Sequence, residues 1–366
     1  MLFSSRFSFV LGALLSFIAN ANAVSGEGSF PDFISNWALF RRWEDITGSI
    51  PVFDVPGMED LTMGEWVNSE KKLTWECYTL TKDSLVANSL TVIIDKATLT
   101  WTDSDNQPQQ QTVVSKRSGI KSGDGNAIMY GARLQKALGH PNILPINHIV
   151  YGKGGVKDYG FAIMPYVQEG SVADNLGSLT DVNGAFKQML AAVAAVSAAG
   201  IIHRDLKPEN FLKDGDTIKL MDFDQSRDIG TTVQMDVGTP SYTAPGTIST
   251  SSISAVTNIS IEIIIGRDYT TKADTFSLAM SFLVMSVPDL RNSDSRFQLW
   301  KDLIEPPNTS YEHVTADKTE EILRGRNYGV FNGNDGLLKV IAKAMCSESE
   351  GRYTPAEFET AFNGAT

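Results

Sequence analysis

The run His203-Arg204-Asp205-Leu206-Lys207-Pro208-Glu209-Asn210 constrains this chain more than any other stretch. It follows an apolar helical pattern ending in Gly200-Ile201-Ile202 and precedes Lys219-Leu220-Met221-Asp222-Phe223-Asp224. Asp and Asn favour turns for local hydrogen-bonding reasons, so an Asp-x-x-x-x-Asn spacing alone carries little weight. Eight ordered residues followed by a second acidic segment carry much more. They set a carboxylate, an ammonium, a carboxamide and another carboxylate on two nearby loops. A chain of 366 residues with 42% hydrophobic content can bury the core needed to hold such loops in place.

These residues resemble the catalytic and metal-binding loops of the protein kinase family, in its Ser/Thr form because Lys207-Pro208-Glu209 follows Asp205. The resemblance implies an α+β, two-lobed fold with an antiparallel β small lobe and a mainly α-helical large lobe. It implies ATP and Mg2+ as cofactors and a protein hydroxyl as acceptor. Asp205 would take the hydroxyl proton, Lys207 would stabilise charge on the phosphoryl oxygens, and Asn210 and Asp222 would hold Mg2+. Lys116, in Val113-Val114-Ser115-Lys116, matches the lysine that grips the α- and β-phosphates. Phe161 to Val167 resembles the strand and hinge against which adenine lies, with Met164 at the back of the pocket and Pro165 and Val167 at its edge. Arg204 and Asp274 are read as structural, Asp274 anchoring the catalytic-loop backbone, and Thr239 as the tie between activation segment and Asp205. A phosphate on Ser226, Thr231 or Thr232 is a candidate partner for Arg204.

Hydrophobic patterning supplies the expected elements. Strands are expected at Leu73 to Tyr78, Leu90 to Thr102 and Thr112 to Lys116. Helices are expected from Ala127 to Leu138, closed by Gly139, and from Val182 to Val196. The run from Asp274 to Met285 is apolar almost all round and should be buried, and Thr354-Pro355-Ala356-Glu357 has the form of a capping box. Phe33, Trp37, Phe40 and Trp43 suggest a helix packing an aromatic stripe on the small lobe. The resulting division is a signal peptide at 1-23, an extension at 24-75 and a kinase-like domain at 76-366, with its small lobe at 76-167 and large lobe at 168-366.

Four departures from the family pattern bear on function. The activation segment ends Ala244-Pro245-Gly246 where a glutamate is expected, which deprives Arg352 of its partner; Glu262 is the proposed replacement, beyond an inserted loop from Thr247 to Ser260. The helix position that should brace Lys116 with a glutamate is Gly131, and Asp124 is the nearest acid that can substitute. No glycine lies between Gly64 and Gly119, so Thr81 to Ser89 must cover the nucleotide without a Gly-rich hairpin. Asp224 replaces a glycine and is read as a solvated carboxylate rather than a ligand.

Cellular context follows from the ends and the charge. Arg6 precedes an apolar run from Phe7 to Ile18, and Ala21-Asn22-Ala23 suits cleavage near Val24, giving a secreted or lumenal chain with no membrane span in its mature form. Asn258 and Asn308 stand in glycosylation sequons. A net charge of -12 argues against a nucleic-acid partner. The two cysteines, Cys77 and Cys346, exclude a disulfide-stapled scaffold and are read as free, buried thiols. The expected function is a secreted or lumenal Ser/Thr protein kinase. The alternative is a pseudokinase acting as a binding module, and a small-molecule phosphotransferase is a more distant third.

Overall fold

The computed structural model describes residues 62–89, 92–119, 124–155, 157–229, 238–244, 270–304, 314–347 and 350–366, without the side chains of 124–126, 240 and 304. The leader, the aromatic stripe at Phe33 to Trp43, Thr231, Thr232, the segment holding Glu262, and the sequons at Asn258 and Asn308 lie outside the described residues.

Strands β1 (Thr62–Val67), β2 (Lys72–Trp75), β3 (Tyr78–Asn88), β4 (Val92–Thr102), β5 (Pro108–Gly119), β6 (His148–Gly154) and β7 (Tyr159–Pro165) form a closed barrel in the order β1-β2-β3-β4-β5-β7-β6. A simple antiparallel sheet is the expectation; the strands instead close into a barrel. The seam is a parallel pairing of β1 with β6, and both β1 and β2 lie ahead of residue 76, inside the stretch read as an extension. Two glycines face each other across that seam, Gly64 opposite Gly152. A Cβ at Gly64 would sit 2.9 Å from the Thr74 carbonyl oxygen, and one at Gly152 would sit 2.6 Å from the Phe161 ring. Neither seam position has room for a side chain.

The alternation at Leu73 to Tyr78 is two strands rather than one. Trp75 pairs with Tyr78, and Glu76 adopts φ 47°, so the chain reverses through Glu76 and Cys77. Cys77 is consequently exposed at a hairpin tip, not buried as expected, while Cys346 is buried; the two are not joined in a disulfide. Trp66, Leu73, Leu80, Leu99, Val113 and Phe161 fill the barrel. Asp95 is buried between two cations, 2.7 Å from Lys82 and 3.3 Å from Arg117, whose guanidinium lies over the Trp66 ring. Asp95→Ala is expected to destabilise the barrel by about 3–5 kcal/mol, because it strands Arg117 as an uncompensated buried charge. Denaturant unfolding of wild type and variant measures this loss.

Helix α1 (Asp124–Ala137) packs on β5 and β7 and begins three residues earlier than its apolar pattern suggests. Gly139 ends the segment with φ +49°, a conformation that favours glycine. The large lobe contains α2 (Val182–Ala198), short strands β8 (Ile201–Ile202), β9 (Phe211–Asp214), β10 (Thr217–Leu220) and β11 (Arg227–Asp228), then α3 (Thr271–Ser286), α4 (Ser293–Ile304), α5 (Ala316–Gly325), α6 (Asp335–Met345) and α7 (Pro355–Ala365). β9 pairs with β10 and β8 with β11, and these two antiparallel pairs carry the loops of interest.

Helix α3 is buried from Ala273 to Met285, which explains why its sequence has no polar face. Phe186 of α2, Phe282 of α3 and Phe362 of α7 meet with ring centroids 4.8–5.2 Å apart. The capping box at the start of α7 is formed in both directions, with Thr354 accepting from the Glu357 N–H and Glu357 accepting from the Thr354 N–H. Among the described residues no helix is long and apolar enough to cross a membrane.

Candidate active site

The site lies where the barrel faces the helical lobe. Along β5, Val113 points into the barrel core while Val114 and Lys116 border the cleft, as a two-residue side-chain period requires on a strand. Lys116 is buried, and its ammonium is 2.7 Å from Asp222 Oδ1 and 2.6 Å from Asp224 Oδ2. Burial would depress the lysine, but the two carboxylates outweigh it and raise its pKa above the ordinary value. Burial likewise opposes the charge on Asp222, and Lys116 outweighs it, so that carboxyl titrates below its usual range. The signs set a pH window. Stability from the depressed Asp222 is lost as pH falls below about 3.9, and stability from the raised Lys116 is lost only above about 10.4. The difference in Tm between wild type and Asp222→Asn is therefore expected to stay level between about pH 5 and 9. Thermal melts across that range check this.

The β9–β10 hairpin delivers the segment from Met221 to Asp224, and Asp222 takes φ 66° within it. The catalytic-loop run enters from β8. Its backbone is clamped by Asp274, whose carboxylate accepts from the N–H of His203 at 2.7 Å and of Arg204 at 2.9 Å. His203 shares a hydrogen bond with the Met221 carbonyl at 3.1 Å and stacks edge-on against Phe223, so it ties the two loops together.

Four polar groups then converge. Thr239 Oγ1 donates to Asp205 Oδ1 at 2.9 Å, and Lys207 Nζ lies 3.0 Å from Asp205 Oδ2 while donating to Thr239 Oγ1 at 2.7 Å. Asn210 Nδ2 donates to the Asp205 carbonyl at 2.7 Å and to its Oδ2 at 3.0 Å. The carboxamide oxygen of Asn210 therefore faces away from Asp205. Arg204 is buried with φ 74° and donates to the Gln225 carbonyl at 3.2 Å. Ser226 is fully buried with its hydroxyl on the His203 carbonyl, so it is not a phosphate acceptor in the folded chain, contrary to one expectation.

A cavity of about 390 Å³ adjoins these groups. Val86, Ile94, Val114 and Ala162 line it from the barrel and Leu212 and Met221 from the large lobe, with Met164, Pro165 and Val167 also on its wall. Lys116, Asp222 and Asp224 line it as charged groups. An apolar slot with a few convergent polar groups suits a purine at one end and phosphates at the other. Among the described residues no three His, Cys, Asp or Glu side chains cluster as a metal cage. One carboxylate, Asp222, with the Asn210 oxygen fits instead a hard cation that takes its remaining ligands from phosphate and water.

The wall from β3 differs from a Gly-rich loop. Register shifts between Lys82 and Ser84 and between Leu85 and Ala87 bend the β3–β4 hairpin, and Val86 reaches the cavity. Bulges stand where the family uses glycine. The helix shows the reverse substitution. A Cβ at Gly131 would lie 2.4 Å from the Phe223 carbonyl oxygen and 2.9 Å from the Asp224 nitrogen. No side chain fits there, so the helix cannot brace Lys116 from that position. Gly131→Ala is expected to cost about 1–3 kcal/mol by overpacking. A drop in the urea midpoint at unchanged slope checks it.

A profile described as "Protein kinase domain" matches residues 105–360. The chain belongs to the protein kinase family. Among its relatives, a protein named "Probable cell division protein kinase" from Encephalitozoon cuniculi is 28% identical over 61% of this chain and 72% of its own length. "CBL-interacting serine/threonine-protein kinase 21" of Arabidopsis thaliana is 32% identical over 36% of this chain. "CBL-interacting protein kinase 14" of Oryza sativa subsp. japonica is 28% identical over 39% of it. The kinase spans only 33% and 34% of these last two.

Two features of this kinase site escaped sequence reading. Asp224, expected to be a solvated carboxylate, is an ion-pair partner of Lys116. The absence of any glutamate from Lys116 to Val167, together with an acid in the metal loop, was its signal. The end of the activation segment is held by Trp300 Nε1 on the Thr243 carbonyl, Ser277 on the Tyr242 carbonyl and Arg296 on Ser241, each at 2.8 Å. Asp124 starts α1, but its side chain is outside the described set, as is Glu262. The described hydrogen bonds of Arg352 run to carbonyls of Cys346, Lys272 and Ser347, and burial lowers its pKa to about 10.

Proposed function

We propose that this chain is an active Ser/Thr protein kinase that transfers the γ-phosphate of ATP, with Mg2+, to a hydroxyl of a protein substrate. The observation that carries the reading is the Asp205 cluster. Thr239, Lys207 and Asn210 orient one carboxylate beside an open cleft into which Lys116 reaches from the barrel. Asp205 accepts the proton of the attacking hydroxyl, and its hydrogen bonds keep the carboxylate turned to receive it. Lys207 places positive charge where negative charge builds on the transferring group. Lys116 holds the α- and β-phosphates. Asn210 and Asp222 hold the cation, which when bound offsets phosphate charge. The apolar slot between Val114 and Leu212 excludes water around the base.

Phosphate transfer from ATP to peptide pools by the purified chain tests this. Activity abolished by Asp222→Asn, in a variant that remains folded at the assay temperature, supports the reading. Nucleotide binding without transfer to any peptide overturns it in favour of a binding module, and transfer to sugars or aminoglycosides alone makes the chain a small-molecule phosphotransferase.

We further propose a secreted or lumenal location and no nucleic-acid partner. The leader-like run from Phe7 to Ile18, the small residues at Ala21 to Ala23 and the net charge of -12 support this. Expression in a secreting host, with sequencing of the released N-terminus, should find a start near Val24. Retention of the intact leader in the cytosol would refute it.

A further inference from the structure

We propose that Asp224 is a positioning residue for Lys116, supplying from the metal loop the brace that protein kinases otherwise place on a small-lobe helix. The proposal rests on the reading of the cleft as an ATP site. Lys116 has two carboxylates within direct contact, Asp222 at 2.7 Å and Asp224 at 2.6 Å. If Asp222 is to hold a cation, it must give up part of its interaction with the ammonium. Asp224 then keeps Lys116 aimed along the cleft.

Among the described side chains of the helix none is acidic, and Gly131 is packed so closely on Phe223 and Asp224 that no Cβ fits. That contact does other work. It seats the helix on the backbone of the residue that carries the brace.

Further contacts secure the same segment. Arg227 donates to the Asp224 carbonyl at 3.3 Å and to the Ser226 carbonyl at 2.6 Å, and its guanidinium lies over the Tyr130 ring of α1. Tyr130 in turn donates to Asp228 at 2.7 Å. The backbone of Asp224 is thus fixed on both sides, so its carboxylate has a defined reach to Lys116. Brace and cation ligand sit two residues apart on one loop. Alignment of Lys116 therefore follows the metal loop, without a separate helix movement to deliver a carboxylate.

A double-substitution cycle read by Mg·ATP binding tests the assignment, with calorimetry on the full chain. Asp224→Asn alone is expected to weaken binding by about ten- to a hundredfold, the scale of a charge-assisted contact. In a Lys116→Met background the same change is expected to add nothing, since the group it positions is gone. Asp224→Glu should recover part of the loss, and in peptide phosphorylation Asp224→Asn should raise the KM for ATP more than it lowers kcat. Multiplying losses in the double variant would overturn the proposal and make Asp224 a cation ligand. An unaltered affinity in Asp224→Asn would also overturn it while leaving the ATP reading intact. A wild-type chain that binds no Mg·ATP would instead overturn the ATP reading, and the brace with it. If Asp224→Asn fails to fold, Asp224→Ser enters the same cycle.

Discussion

Asp205→Asn is expected to lower kcat by about 10²–10⁴-fold while leaving the KM for ATP within about twofold. The carboxamide is nearly isosteric but cannot accept the hydroxyl proton. With its oxygen at the Oδ2 position facing Lys207 and Asn210, its NH2 meets the Thr239 hydroxyl, which can turn to accept, so the cluster keeps its shape while the base is lost. Asp205 does not line the nucleotide cavity, which is why ATP binding should persist. Steady-state kinetics with varied ATP and peptide separate the two parameters. A variant with near wild-type kcat would show that Asp205 is not the base.

Asp274→Ala is expected to destabilise the large lobe by about 2–6 kcal/mol, from two buried N–H groups at about 1–3 kcal/mol each. Both lose their acceptor at once. The N–H groups of His203 and Arg204 point at one carboxylate in the first turn of a fully buried helix, where water has no route to replace it. Burial raises the Asp274 pKa despite those donors and the nearby His203. The ionised form is therefore the costly one, so the stability Asp274 lends is fullest below about pH 3.9 and declines as pH rises through the shifted value. Asp274→Asn keeps an acceptor without a titrating proton, so it should retain part of the stability and flatten that decline. Denaturant unfolding of the three proteins between about pH 4 and 7 measures both effects. Equal stability of Asp274→Ala and wild type would show that the loop is held by other contacts.

Much of this site was readable because its chemistry demands particular residue types in a fixed local order. Asp205, Lys207 and Asn210 occupy one short stretch, and a loop that short brings its side chains together whatever surrounds it. The buried character of α3 was readable because a helix without a polar face has nowhere else to go. Its Asp274 was readable as an anchor because the run resembles the family's central helix, whose first Asp holds the catalytic-loop backbone. The capping box at Thr354 was readable because capping is a contact between residues three apart.

The remainder depended on residues distant in sequence. Barrel closure joins Thr62 to Val150, and nothing within β1 announces a parallel partner so far along the chain. Exposure of Cys77 turned on a two-residue reversal in what reads as an unbroken alternating strand. Local order by itself determined the family, the catalytic loop and the buried helix, since each is a short-range pattern imposed by hydrogen bonding or apolar periodicity. Which carboxylate steadies Lys116 was decided only by tertiary structure: whether a side chain or bare backbone fills the space beside Phe223 is a matter of how closely α1 packs on a loop nearly a hundred residues away.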